Sequence, residues 1–247
     1  MSSSLFHTLN ISRQDILSRL TDLDVSANNL ANVNTAGFKT SRSNFQEMLD
    51  QKLTEGVLLS NTQMLTAQGS LTNSTNPLDW AIQGEGLFSV TLPDGTTGYT
   101  RDGQFVLDAD HKLVSASGYP LVWDGTILEG MSDISISSEG VVSANDADGV
   151  RVEVGTVQLS RFPNPSGLTS HGDNVWLESD ASGAVQTGAA GAENFGTLNP
   201  YRIEQSNVNL SQEMTHLITL QRSFSMSIKA FQQTDTMISQ AINLRKA

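Results

Sequence analysis

All six prolines and 17 of the 20 glycines of this 247-residue chain lie between residues 72 and 200, and from Tyr201 to Ala247 there is neither. Proline removes a backbone donor and fixes φ, and glycine supplies the conformations that turns need. A stretch cleared of both beside one crowded with them marks a change of architecture, with helix at the ends and short strands in the middle. Charge divides at the same places. Residues 72–200 hold 17 acids and 4 bases, whereas the two flanks together hold 9 acids and 10 bases. The formal charge of −12 therefore belongs to the middle. Such a chain is repelled by a phosphate backbone, which argues against nucleic acid as a partner.

The chain is long enough for one large or two small domains with a sizeable core. It has no cysteine, which excludes a disulfide framework, a thiolate metal site and a cysteine nucleophile. The start, "MSSSLFHTLNISRQD", lacks the basic and apolar regions of a cleavable secretory signal. No run approaches the ~18 to 20 apolar residues of a spanning helix, so no membrane insertion is expected.

Both flanks carry apolar residues at alternating three- and four-residue spacing. In the first, Phe6, Leu9, Ile16, Leu20, Leu23, Ala27 and Leu30 keep it, interrupted at Arg13. In the last, Leu210, Met214, Leu217, Phe224, Ile228, Phe231, Ile238 and Ile242 keep it, interrupted at Gln221 and Asp235. This periodicity predicts two helices that pair as a coiled coil. Asn209 reads as the N-cap of the second, with Gln212 three residues on and Glu213 in the first turn. Gly37 reads as a left-handed helix stop for the first.

The middle reads as short strands. In residues 86–123, Asp94-Gly95 and Asp102-Gly103 are hairpin-type dipeptides and Ser117-Gly118 a weaker one. Further candidates are 133–137, 140–144, 152–162 and 174–179. The fold class expected is α+β: paired terminal helices and a central irregular all-β domain. The boundaries are 1–39 for the first helix, 40–71 for a connecting segment, 72–200 for the β-domain and 201–247 for the second helix.

Chemistry is not legible in the chain. "GEGLFS" (84–89) imitates a dinucleotide loop, but Ser89 takes the third glycine position and no helix pattern follows. It reads instead as a strand entry needing a close backbone approach. "DADHK" (108–112) lacks the central glycine and terminal glutamate of a calcium loop and reads as a hairpin turn. His7, His111, His171 and His216 have no ligand spacing. No catalytic, cofactor-binding or metal residue is expected, and no enzyme activity.

The first helix ends in "ANNLANVNTAGFK" (27–39), four asparagines in seven residues from Asn28 to Asn34. Asparagine competes with the helix for backbone hydrogen bonds, so Asn28, Asn29, Asn32 and Asn34 call for partners. This stretch resembles the N-terminal signature of the bacterial flagellar rod and hook family, the axial proteins of a tubular drive shaft. "PLDWAIQGEGLFSV" (77–90), with "GYTRDGQFVLDADHKLVSASGYPLV" (98–122), resembles the family's central β motif. "SRFPNPSGLTSHGDNVWLESDASG" (160–183) resembles the stretch that follows, and "IEQSNVNLSQEMTHLITLQRSF" (203–224) the start of its C-terminal helix. Two of these stretches, "GLTSHGDNVWLESDASG" and "EQSNVNL", are most similar to distal-rod members, with proximal rod and hook members as alternatives.

The resemblance implies a structural subunit of the flagellar basal body whose paired helices line the wall of a helical tube and whose β-domain lies outside. It implies self-assembly, contacts with other rod and hook proteins, passage through the flagellar export apparatus, and ring bushing proteins as further candidate partners. The asparagines and the apolar helix positions, Leu9 to Leu30 and Leu210 to Ile242, then become the expected assembly interface. A glycan-acting or glycan-binding β-domain flanked by helices is the alternative of another class.

Overall fold

The computed structural model describes the backbone of residues 2–48 and 56–246, with side chains over 10–44 and 62–240. Helix α1 spans Ser2–Ala31 and helix α2 spans Leu210–Lys246. Between them run β1 (Ser41–Met48), β2 (Gly56–Met64), β3 (Leu71–Asn73), β4 (Trp80–Gln83), β5 (Phe88–Thr91), β6 (Thr97–Thr100), β7 (Phe105–Leu107), β8 (Leu113–Ser115) and β9 (Asp124–Gly125). They are followed by β10 (Ser132–Ile136), β11 (Val141–Asn145), β12 (Arg151–Thr156), β13 (Gln158–Arg161), β14 (Thr169–Gly172), β15 (Val175–Leu177), β16 (Gln186–Ala189), β17 (Thr197–Pro200) and β18 (Arg202–Glu204). The result is a helix at each end and β structure between, the α+β class.

The chain forms two compact units. The helical unit comprises Met1–Ala31, Ser41–Gln63 and Asn209–Ala247, and the β unit comprises Asn32–Thr40 and Met64–Val208. Within 40–71 the described residues form strands β1 and β2, which pair with each other, and β3 pairs with β18. The β unit is thus wider than 72–200 and takes in the turn that follows α1.

Asn209 caps α2: its side-chain oxygen accepts the Gln212 N–H at 3.2 Å and its carbonyl the Glu213 N–H at 2.9 Å. The first helix ends earlier than expected. It stops at Ala31, six residues before Gly37, because the Asn32 carbonyl and amide oxygens both accept bonds from Thr35, at 3.1 Å each. Such local side-chain bonds compete with the helical ladder.

Pairing in the β unit is antiparallel. Its larger sheets are β10-β11-β12-β9 and β14-β15-β6-β5, with two-stranded pairs β13–β16, β17–β4, β18–β3 and β7–β8. Asp94-Gly95 turns β5 into β6, and residues 108–112 turn β7 into β8. Asp102-Gly103 does not make a hairpin, since β6 pairs with β5 and β15 while β7 pairs with β8. Gly103 instead lies against the Trp80 backbone, where an added Cβ would stand 1.7 Å from the Trp80 carbonyl oxygen. That close approach seats Trp80 in the core with Phe88 and Phe105, whose rings pack edge to face at 5.1 Å. Ile82, Leu113, Ile136, Val142, Leu159 and Leu198 complete this core.

Candidate assembly interface

Polar bonds cross between the two helices of the helical unit. Asp15, Asp22, Ser26 and Asn29 each stand one residue before a position of the apolar stripe on α1, Ile16, Leu23, Ala27 and Leu30. Ser227 Oγ donates to Asp15 Oδ2 at 2.6 Å, Ser26 Oγ donates to Glu213 Oε2 at 2.6 Å, and Asn29 Nδ2 donates to Glu213 Oε1 at 3.3 Å. His216 Nε2 lies 3.7 Å from Asp22 Oδ2. Residue numbers rise on α1 as their partners fall on α2, so the helices run antiparallel. Asp22 also accepts a bond from Ser43, and Asp15 from Arg19 at 2.9 Å. Burial works to raise the Asp15 carboxyl, but the bonds from Arg19 and Ser227 and the Arg19 charge together hold it below its ordinary value.

Asn29 is buried at this seam. Its amide donates to the Ser41 carbonyl and accepts the Ser41 N–H, each at 2.9 Å. Its bonds are therefore satisfied within the chain. Asn32 serves the turn with Thr35, and Asn28 and Asn34 are exposed.

The apolar positions read from the sequence divide. Ile16, Leu23, Leu30, Leu217, Phe224, Ile228, Phe231 and Ile238 are half-buried. Leu20, Ala27, Leu210 and Met214 are exposed. The side chains of Leu9 and Ile242 lie outside the described residues. Leu220, which the periodicity did not single out, is the one buried apolar residue among the described residues of α2. Ile11 and Leu17 on α1, and Ile218, Met226 and Met237 on α2, add to the exposed set. Polar bonds thus cross the seam beside half-buried apolar residues, while a second set of large apolar side chains faces outward. A helix in a finished surface shows the opposite pattern.

Within the β unit a second constellation joins the segment that leaves α1 to the segment that enters α2. Glu204 is 1% exposed and accepts from Lys39 Nζ and Arg101 Nε at 2.6 Å each and from the Gly69 N–H at 2.9 Å. Its backbone carbonyl accepts the Gly37 N–H at 2.7 Å. Arg101 spends its other donors on the carbonyls of Ile82, Gly84 and Gly86. Asn207 fills its hydrogen-bonding capacity: it accepts from Thr40 N and Oγ1 at 2.7 Å and donates to the Leu65 and Ala67 carbonyls.

Gly37 holds φ +65°, and a Cβ there would stand 2.5 Å from the Arg101–Asp102 peptide. Its left-handed backbone serves this contact. Burial works to raise the Glu204 carboxyl, yet the Arg101 and Lys39 charges and their bonds bring it below its ordinary value. Burial pushes the Lys39 ammonium down, against the Glu204 charge. Lys39, Arg101 and Glu204 were not singled out from the sequence.

Three family profiles match in chain order. They are the flagella basal body rod protein over 19–39, the flagellar hook protein FlgE/F/G D1 domain over 81–144, and the flagellar basal body rod FlgEFG protein C-terminal region over 200–244. The flagellar basal-body rod protein FlgG of Caulobacter vibrioides is 37% identical over 91% of this chain and 94% of its own length. FlgG of Bacillus subtilis is 35% identical over 92% and 94%. The chain belongs to the flagellar basal-body rod protein family. It is a structural subunit of the bacterial flagellum's basal body. The flagellar hook-basal body complex protein FlhP of Bacillus subtilis is more distant, at 27% identity over 87% of this chain and 91% of its own. On the rod-family chain the first match covers Ser26, Asn29, Gly37 and Lys39, the second covers Arg101, and the third covers Glu204, Asn207 and most of α2. The matched segments thus carry much of the seam and all three charged residues of the cluster.

Proposed function

We propose that this chain builds the distal segment of the rod by polymerising into a helical tube, and that it acts by assembly and not by catalysis. The reading rests on the outward apolar residues of the paired helices, Leu17, Leu20, Met214, Ile218 and Met226. Exposed apolar faces of this kind mark surfaces meant for a partner. Family membership supplies that partner as further copies of the chain, with other rod and hook proteins at the ends of the segment.

In the tube, α1 and α2 act as a coiled coil lining the inner wall, with Leu9 to Leu30 and Leu210 to Ile242 buried between subunits. Asn28 and Asn34 face neighbouring helices and hydrogen-bond to them. The lumen serves export, and the chain itself travels through the flagellar export apparatus. The β unit carries the acidic exterior toward ring bushing proteins. The Lys39–Glu204–Arg101 cluster suits torque transmission, because it locks the two segments that connect to the helices into one buried network. Electron microscopy of the concentrated chain tests the reading: tubes of one diameter are expected, and a chain that stays monomeric or forms amorphous aggregates contradicts it.

A further inference from the structure

Tyr201 stands where the chain leaves one sheet for another. Strand β17 before it pairs with β4, and β18 after it pairs with β3. The change of direction needs a left-handed residue, and Tyr201 adopts φ +56°. The other non-glycine residues with positive φ among the described residues are His111, Asp133, Asp173, Asn174 and Asn194, types that tolerate this region. A tyrosine is strained there. Burial does not compensate, because its side chain is 46% exposed. Arg202 beside it is also exposed, and among the described residues no carboxylate pairs with it.

We propose that Tyr201 and Arg202 form an anchor that docks on the acidic sheet β10-β11-β12-β9 of a second copy of this chain. The inference rests on the self-assembling rod reading and assigns it a contact. Charge complementarity selects the surface: Asp124, Asp133, Asp146, Asp148 and Glu153 are exposed on that sheet and its turns, against one exposed base, Arg151. The β11–β12 turn adds Val150, 60% exposed, beside Asp146 and Asp148, so it offers an aliphatic surface for the ring and carboxylates for the guanidinium. Tyrosine and arginine are the residue types that dominate binding hot spots. A contact between two different patches is heterologous and propagates along a helix instead of closing a dimer. The backbone strain carried by the isolated subunit is offset when the ring is covered in the polymer.

The full-length chain tests this in two ways. Tyr201→Gly relieves the backbone, so it raises the melting temperature of the monomer, yet it raises the critical concentration for polymerisation by roughly tenfold or more. Tyr201→Phe keeps the wild-type concentration. Arg202→Glu weakens polymerisation, and Asp146→Arg with Asp148→Arg restores it. In the second test, a photo-cross-linking residue at 201 in concentrated chain forms adducts with residues of that sheet in a second copy. Polymerisation of Tyr201→Gly at the wild-type concentration, or adducts that are absent or lie outside the sheet, overturns the anchor. A wild-type chain that forms no tube contradicts the rod reading instead, and the cross-link still decides the contact.

Discussion

Asn29 binds Ser41 as one strand binds another, donating to its carbonyl and accepting from its N–H at 2.9 Å each. A side-chain amide here reproduces the two-bond ring of an antiparallel pair. It fixes the first residue of β1 against α1, while its remaining donor capacity reaches Glu213 on α2. One residue thus joins a helix, the strand that follows it in sequence, and the last helix of the chain.

Removing that amide leaves the Ser41 backbone groups without partners. Asn29→Ala should destabilise the helical unit by about 2 to 3 kcal/mol, the scale of a buried unsatisfied polar group. Asn29→Asp should cost more, because a carboxylate cannot donate to the Ser41 carbonyl and sits beside Glu213. Urea denaturation followed by helical circular dichroism measures both. Equal stability of the asparagine and aspartate forms contradicts the assigned bonds.

Among the described residues, Glu204 is the one carboxylate shared by two buried cations, Lys39 and Arg101. Glu204→Gln should cost roughly 3 to 5 kcal/mol at pH 7, since Lys39 and Arg101 remain buried without a counter-charge. The Glu204 carboxyl is held below its ordinary value of 4.5, so its contribution is present above that pH and is lost as pH falls through the folded-state value. Denaturation of both forms across pH 7 to pH 3 should therefore show a gap that is widest at neutral pH and narrows in acid. A gap independent of pH contradicts the charge account.

Asp102 behaves in the opposite sense. Burial pushes its carboxyl up to about 6, with the Gln104 N–H pulling it back and the Asp79 charge adding to the rise. A raised value means stability present in full below the ordinary 3.8 and lost as pH rises through 6. Asp102→Asn keeps an acceptor for Gln104 and cannot ionise. It should match the wild type near pH 4 and exceed it by about 3 kcal/mol at pH 7. A difference that does not grow between those pH values contradicts the buried-carboxyl reading.

Architecture was legible where it rests on backbone chemistry. The clearance of glycine and proline after Tyr201 announces α2, and Asn209 caps it as its spacing predicts. Turn dipeptides such as Asp94-Gly95 locate hairpins because they act locally. Asp102-Gly103 misleads for the complementary reason: its glycine answers to Trp80, 23 positions earlier in the chain. The helix seam was read one residue out of phase on α1. Hydrophobic periodicity finds the apolar stripe, whereas Ser26, Asn29 and Asp15 pair by hydrogen bonds that periodicity does not register. The Lys39–Arg101–Glu204 cluster was not legible at all, since a long-range ion pair leaves no local pattern in one sequence. Strands β1 and β2 hid for want of glycine-proline punctuation between 38 and 55.

The central claim is that the outward apolar faces of α1 and α2 are subunit contacts in a tube. Met214, Met226 and Met237 report on it, being 50%, 64% and 57% exposed in the single chain, while Met64 of the β unit is 7% exposed and serves as the buried control. Methionine oxidation follows exposure, so peroxide oxidation of dilute chain and of assembled tubes, read residue by residue by mass spectrometry, measures the burial directly. The account predicts that the three helix methionines oxidise readily in dilute chain and roughly tenfold or more slowly in the tube, with Met64 slow in both. Oxidation of Met214, Met226 and Met237 at the same rate in tube and dilute chain would contradict it.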